Sequence, residues 1–208
     1  MKNEFIGVST TKSKKDYRPI VAVGPWCADY VEIGTMYGAS AVVAGRSVAG
    51  EVHCIDPFGN KQPGGMVATP EIVRHNWRWA GLYPARLHIH QQEHPPWPEA
   101  IKDRRFDMGL IDGGHGEEQA WKDWEGMSPR INLFILIHDV VKDKKFDSRY
   151  TAEIGPTNLY YAVAELPEWE PMGVIGYMGV LATEAGAKIA SVIAEKYEFA
   201  AEWDIFVK

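Results

Sequence analysis

The ten residues Val31-Glu32-Ile33-Gly34-Thr35-Met36-Tyr37-Gly38-Ala39-Ser40 constrain this chain more than any others. An apolar run stops at an acid and a glycine, and small residues suited to a closely packed helix follow at once. A second apolar run, Val52-His53-Cys54-Ile55, ends in Asp56, 22 positions after Gly34. Strand, glycine turn, helix, strand and terminal acid make one nucleotide-binding half of an α/β sheet. In such a unit the glycines let the main chain approach a ligand, and the carboxylate accepts the hydroxyls of a ribose. Gly34 and Gly38 alone also fit an ordinary strand-to-helix turn. Asp56 and the later motifs favour a nucleoside.

The spacing limits which nucleoside derivative the turn suits. Dinucleotide sites use G-x-G-x-x-G, whose helix N-terminus receives a pyrophosphate. Here the pattern is Gly34-x-x-x-Gly38, and no phosphate-binding G-x-x-x-x-G-K-[ST] loop occurs. Glu32, just before the turn, would repel a pyrophosphate and attract an ammonium group. The glycine spacing therefore argues against a nicotinamide dehydrogenase.

Strand and helix signals alternate along the chain, which predicts an α/β fold. Strands are expected at about 29–34, 51–56, 86–91, 106–112 and 131–138, with further strands within 172–183 and a last one at 203–207. Helices are expected at about 38–48, 71–81, 98–104, 116–127, 157–166 and 184–196. Trp77 and Trp79 stand two apart on one helix and cannot share a face, so one is core and the other is not. Ala120, Trp121, Trp124 and Met127 form a core stripe, whereas Asp123 is assigned to a solvated face. Residues 1–20 read as irregular, and the charged segment 140–156, with Gly155-Pro156, reads as a lid or loop.

With 208 residues and 46% hydrophobic content, one globular domain is expected over 1–208. Its parts are an N-terminal arm (1–28), a ligand-binding core (29–140), and a lid with sheet completion (141–208). A net charge of −6 disfavours nucleic acid as the main partner. No apolar run reaches the ~18 residues needed to span a bilayer, and the start lacks the layout of a secretory signal. The two cysteines, Cys27 and Cys54, read as reduced buried thiols. A cytoplasmic location is the expectation, and a homo-oligomer stays open.

Two further strands end in acids and imidazoles: Leu110-Ile111-Asp112-Gly113-Gly114-His115 and Leu136-Ile137-His138-Asp139. Ligands in open α/β sheets bind beyond the carboxyl ends of strands, so these four titratable groups belong near the Gly34 turn. Asp and His together also make a metal-ligand set. Helix capping by His115 and a core hydrogen bond for His138 are the plain alternatives. Trp26 and Trp97 offer aromatic surface to a substrate mouth or to the core.

Residues 31–40 resemble the first motif of class I S-adenosylmethionine-dependent methyltransferases, closest to the catechol O-methyltransferase-like and macrocin-type branches. The resemblance implies a Rossmann-like, mostly parallel seven-stranded sheet with helices on both faces. It implies that Glu32, Gly34, Thr35, Gly38 and Ser40 surround the methionine end of the cofactor and that Asp56 binds the ribose. Gln92 then lies near the adenine, and Asp112 near the reacting end. In the catechol-type branch the strand ends carry an Asp, a Lys base and an Asp-Asn pair. Aligned on those motifs, Asp112, His138 and Asp139 take the metal positions and His115 the base position. His for Lys is one departure; His138-Asp139 for Asp-Asn is another. An imidazole ligand suits Mn²⁺, Fe²⁺ or Zn²⁺ better than Mg²⁺, and a metal-free site remains the alternative. The implied reaction is O-methylation of a small-molecule acceptor, a sugar or phenolic hydroxyl. A non-catalytic S-adenosylmethionine-binding module and a metal-dependent hydrolase are the rival readings. The branch carries helices ahead of its first strand, and the corresponding residues here lack helical periodicity.

Overall fold

The computed structural model describes Ile6 and residues 17–59, 66–142 and 154–197. Seven strands form one sheet: β1 (Tyr30–Ile33), β2 (Val52–Asp56), β3 (Leu87–Gln91), β4 (Phe106–Ile111), β5 (Ile131–Ile137), β6 (Glu170–Ile175) and β7 (Met178–Ala182). Their order is β3-β2-β1-β4-β5-β7-β6. The first five strands in that order run parallel, and β7 lies antiparallel between β5 and β6. The expected mostly parallel, seven-stranded sheet is therefore present. Chain order reverses at β1, whose neighbours are β2 and β4, and such a switch point leaves a crevice at the carboxyl ends of the strands.

Helices cover both faces because parallel strands joined by crossovers bury both sides. They are α1 (Arg18–Val23), α2 (Ala39–Ser47), α3 (Pro70–Trp79), α4 (Glu117–Met127), α5 (Ile154–Val163) and α6 (Glu184–Tyr197). Alternation along β1 sends Tyr30 to one core, where Ile20, Ala41, Trp77 and Ala190 also pack. Val31 and Ile33 go to the other, with Trp124, Leu159 and Val163. Small residues on α2 matter here: a β-carbon on Gly45 would stand 2.3 Å from the Trp77 ring. Trp77 is 1% exposed and Trp79 is 44% exposed, the divergence expected of an i, i+2 pair.

Several expectations are corrected. Residues 18–23 are helical as α1, with Pro19 in the first turn, where its missing N–H costs nothing. Gly155 and Pro156 open α5 rather than belonging to a loop, for the same reason. The helix expected at 98–104 is one 3₁₀ turn, Glu99–Ile101. Asp123 is fully buried, not solvated. Residues 143–153 of the expected lid and the strand at 203–207 lie outside the described residues. Among the described residues no helix is long and apolar enough to cross a membrane. Near the start, Asn76 on α3 grips the main chain of Ile6 in both directions, 2.8 Å each way.

Truncating Trp77 to Ala should cost ~3–5 kcal/mol of stability, as expected for a fully buried indole. Trp79→Ala should cost less than about 1 kcal/mol. Urea unfolding of both variants measures the contrast, and equal losses would overturn the assignment of faces.

Candidate active site

The turn after β1 is built around a close approach. Gly34 has φ 89°, and a β-carbon there would lie 1.9 Å from the carbonyl oxygen of Asp112. Only glycine lets the ends of β1 and β4 meet in this way. Gly38, at φ 80°, caps α2, and a β-carbon on it would press on Val73 at 2.8 Å. Between them, Met36 adopts a left-handed conformation with φ 53°. The Asp56 carboxylate holds this turn, accepting from the main-chain N–H groups of Thr35 and Met36 at 2.8 Å and of Phe58 at 2.6 Å. Two successive N–H groups aimed at one carboxylate oxygen form an anion nest.

Above the turn lies a cavity of about 540 Å³, bounded by Gly34, Met36, Asp56, Gln92, Asp112 and His115, among others. That is ample for a nucleoside-sized ligand. Glu32, Thr35, Gly38 and Ser40 are buried behind the turn and do not border the cavity. The strand pleat is the cause for Glu32, since the side chain projects to the same face as Tyr30, whose hydroxyl donates to it at 2.8 Å. Burial pushes the Glu32 carboxyl up to about 7, against the pull of the Ser40 and Tyr30 hydroxyls. In this position it serves as internal support beneath the turn.

The acid–imidazole cluster stands at the adjoining strand ends. Nδ1 of His138 lies 3.1 Å from Asp112 Oδ1 and 3.2 Å from Asp139 Oδ1. Although shielded from solvent, this nitrogen makes no directed hydrogen bond to either oxygen. One ligand atom from each of Asp112, His138 and Asp139 thus lies within 4.8 Å of the other two. Burial pushes the His138 imidazole down, but Asp112 and Asp139 outweigh it and hold it at about 10. The other oxygen of Asp139 faces His115 Nε2 at 3.2 Å.

Strain and packing set these positions. Asp139 adopts φ 59°, uncommon for a residue with a side chain. The start of α5 braces it: the Thr157 hydroxyl accepts from the Val141 N–H at 2.9 Å and donates to the Asp139 carbonyl at 3.4 Å. Gly155 lets the same helix touch the His115 loop, for a β-carbon there would stand 2.4 Å from the His115 carbonyl. Trp26 and Trp97 do not border the cavity; the partly buried Trp97 packs against the core and its indole donates to the Ile101 carbonyl.

Three cavity residues escaped the sequence reading. Asp123 is 0% exposed, and its Oδ1 accepts from His94 Nδ1 at 2.9 Å and Gln119 Nε2 at 2.8 Å. Its Oδ2 has no partner and sits where a β-carbon on Gly113 would be, 2.5 Å away. The glycines at 113 and 114 thereby open the back of the cavity to α4. The signal was available: 123 falls three after Ala120 and four before Met127, on the buried stripe.

Comparison with known proteins settles the family. The family model described as a methyltransferase domain matches residues 31–140, just over half of the 208-residue chain. The chain belongs to the methyltransferase-domain family. The resemblance to class I S-adenosylmethionine-dependent methyltransferases therefore holds. Solved structures share the fold. Cofactor-bound Rv0187 from MTB is 17% identical with a TM-score of 0.60, over 86% of this chain and 82% of that one. An O-methyltransferase from Bacillus cereus, in complex with SAH, is 19% identical with a TM-score of 0.57, over 85% and 82%. The O-methyltransferase TomG from Streptomyces achromogenes, in complex with SAM, is 14% identical with a TM-score of 0.55, over 85% and 81%.

The raised carboxyl of Glu32 gives this methyltransferase a pH signature. Below about pH 4.5 folded and unfolded chains both hold the proton; between there and about 7 only the folded chain does. The unfolded state binds fewer protons in that window, so stability falls as pH rises, by on the order of 3 kcal/mol. Glu32→Gln should abolish this loss. Urea unfolding at pH 5 and pH 8 should show a smaller difference in the variant than in the wild type, and an equal difference would refute the assignment.

Proposed function

We propose that this methyltransferase O-methylates a small-molecule hydroxyl, with His115 as general base and Asp112, His138 and Asp139 as ligands for a divalent metal. One observation carries the reading: a single cavity is bordered by the glycine turn, Asp56, Asp112 and His115. S-Adenosylmethionine supplies the transferable methyl group as a sulfonium. Asp112, His138 and Asp139 would hold the metal, which would lower the pKa of the acceptor hydroxyl and fix its direction, and the imidazole ligand would favour Mn²⁺ over Mg²⁺.

The chain's own groups do the rest. Asp56, already anchored by three N–H groups, keeps lone-pair capacity for the ribose hydroxyls. Asp123 Oδ2 is an acceptor without a donor, and the adenine exocyclic amino group is the donor that suits it. His115 presents Nε2 to Asp139; a carboxylate only accepts, so the neutral ring carries its proton on Nε2 and keeps the Nδ1 lone pair. Nδ1 takes the proton of the acceptor hydroxyl, and Asp139 stabilises the imidazolium that results. Transfer disperses charge, so positioning of the two reactants contributes most. The start of α5, pressed against His115 and Asp139, supplies that rigidity.

The test combines binding and turnover. Calorimetry with S-adenosylhomocysteine, with and without Mn²⁺ and Mg²⁺, should give a 1:1 complex. A panel of phenolic and sugar acceptors should generate S-adenosylhomocysteine from S-adenosylmethionine. His115→Ala should lower turnover ~10²–10⁴-fold and leave cofactor affinity almost unchanged. Turnover that survives in that variant removes His115 as the base, and binding without turnover on any acceptor marks a non-catalytic module. Asp123→Asn should weaken S-adenosylhomocysteine by about 1–3 kcal/mol and blunt discrimination against its inosine counterpart. Undiminished discrimination would take Asp123 out of adenine recognition.

A further inference from the structure

A second cluster of ligating side chains lies toward the amino ends of β2 and β3, apart from the cavity. Parallel register sets His53 directly opposite His88 and Ile55 opposite His90, so all three imidazoles share the sheet face of Phe106. The His53 and His88 rings stack with centroids 4.5 Å apart. Glu51, just ahead of β2, reaches both: its Oε2 is 3.3 Å from His53 Nε2 and its Oε1 is 3.3 Å from His88 Nε2. Nε2 of His88 is shut off from solvent, yet it makes no directed hydrogen bond. Behind His53, its Nδ1 lies 3.1 Å from His90 Nε2.

We propose that Glu51, His53 and His88 form a binding site for a divalent transition ion of the Zn²⁺ type. The three ligand atoms already lie within 4.8 Å of one another, and two imidazoles with one carboxylate are a set such ions favour. With its proton on Nδ1 and donated to His90, His53 presents the Nε2 lone pair, the role an outer partner plays for a metal-bound imidazole. Arg104 binds Glu51 Oε2 and, through its other terminal nitrogen, Asp29 Oδ2. Two carboxylates against one guanidinium leave a net negative charge at the site, and Oε1 is left for the ion. A tetrahedral site needs its ligand atoms about 3.3 Å apart, and the near-parallel rings cannot both point at one ion as they stand. His88 must therefore turn, and it is the free member, with its side chain 38% exposed where that of His53 is 3% exposed.

This site stands independently of the methyl-transfer chemistry, and it is tested apart from the Asp112–His138–Asp139 set. The metal-free full-length protein carrying Asp139→Ala is titrated with Co²⁺, followed by visible d–d absorbance, and with Zn²⁺ by calorimetry. One equivalent should bind. Adding His88→Ala should weaken that binding more than tenfold and remove the d–d bands, and Glu51→Gln should do the same in place of His88→Ala; thermal unfolding verifies that each variant is folded. Absence of Zn²⁺ and Co²⁺ binding in the Asp139→Ala protein, or equal affinity after either added change, overturns the proposal.

Discussion

The ends of β1 and β4 come within contact distance because Gly34 has no side chain, and the site depends on that approach. A β-carbon at 34 would overlap the Asp112 carbonyl. Displacing Asp112 would shift one of the acid–imidazole groups and open a gap between the glycine turn and that cluster. Neighbouring hydrogen bonds lock the approach: the Asp112 N–H donates to the Ile33 carbonyl, and the Gly34 N–H to the Ile55 carbonyl. Three strand ends are thus tied in series, β2 to β1 to β4. Asp56, the glycine turn and Asp112 form one rigid rim.

On the far side of Asp112 the constraint passes to packing. His138 continues β5, and its N–H donates to the Ile111 carbonyl, which carries the rim one strand further. Asp139 then leaves the extended conformation, turning its two oxygens toward His138 and His115. A left-handed aspartate at the end of a buried strand persists only where its surroundings over-determine it. Here Thr157 holds the main chain, and Gly155 lets α5 lie against the His115 loop. The helix that contributes no group to the cavity is therefore what fixes the His115 loop relative to Asp139.

Much of this was legible in the sequence, and the limits have physical causes. Strand ends carrying Asp56, Asp112 and His138-Asp139 could be placed together because parallel strands around a switch point must end on one side. The face of each residue was harder. Glu32 was read toward the ligand because its charge suggested a partner, whereas period-two alternation puts it under α2 with Tyr30. Asp123 was read as solvated because aspartate usually is, although its spacing to Ala120 and Met127 placed it on the buried stripe. In both cases residue chemistry was weighed above periodicity, and periodicity prevailed. The pairing of His53 with His88 had no local signal, since it depends on the register of strands 35 positions apart.

Two acids flank the same turn, and the structure gives them opposite work. Glu32 receives side-chain hydroxyls but no main-chain donor from the turn, so burial raises its carboxyl toward neutrality. Asp56 arrives from the adjoining strand and accepts the N–H groups of Thr35 and Met36, whose dipoles favour its negative charge. The Asp56 carboxylate keeps acceptor capacity at the cavity wall. The turn's N–H groups point away from the acid beneath them and toward the acid beside them, and this division of charge, more than the glycine count, distinguishes the site from a phosphate-binding loop. With the Thr35 and Met36 donors committed to the Asp56 carboxylate, those two groups are not open to a pyrophosphate.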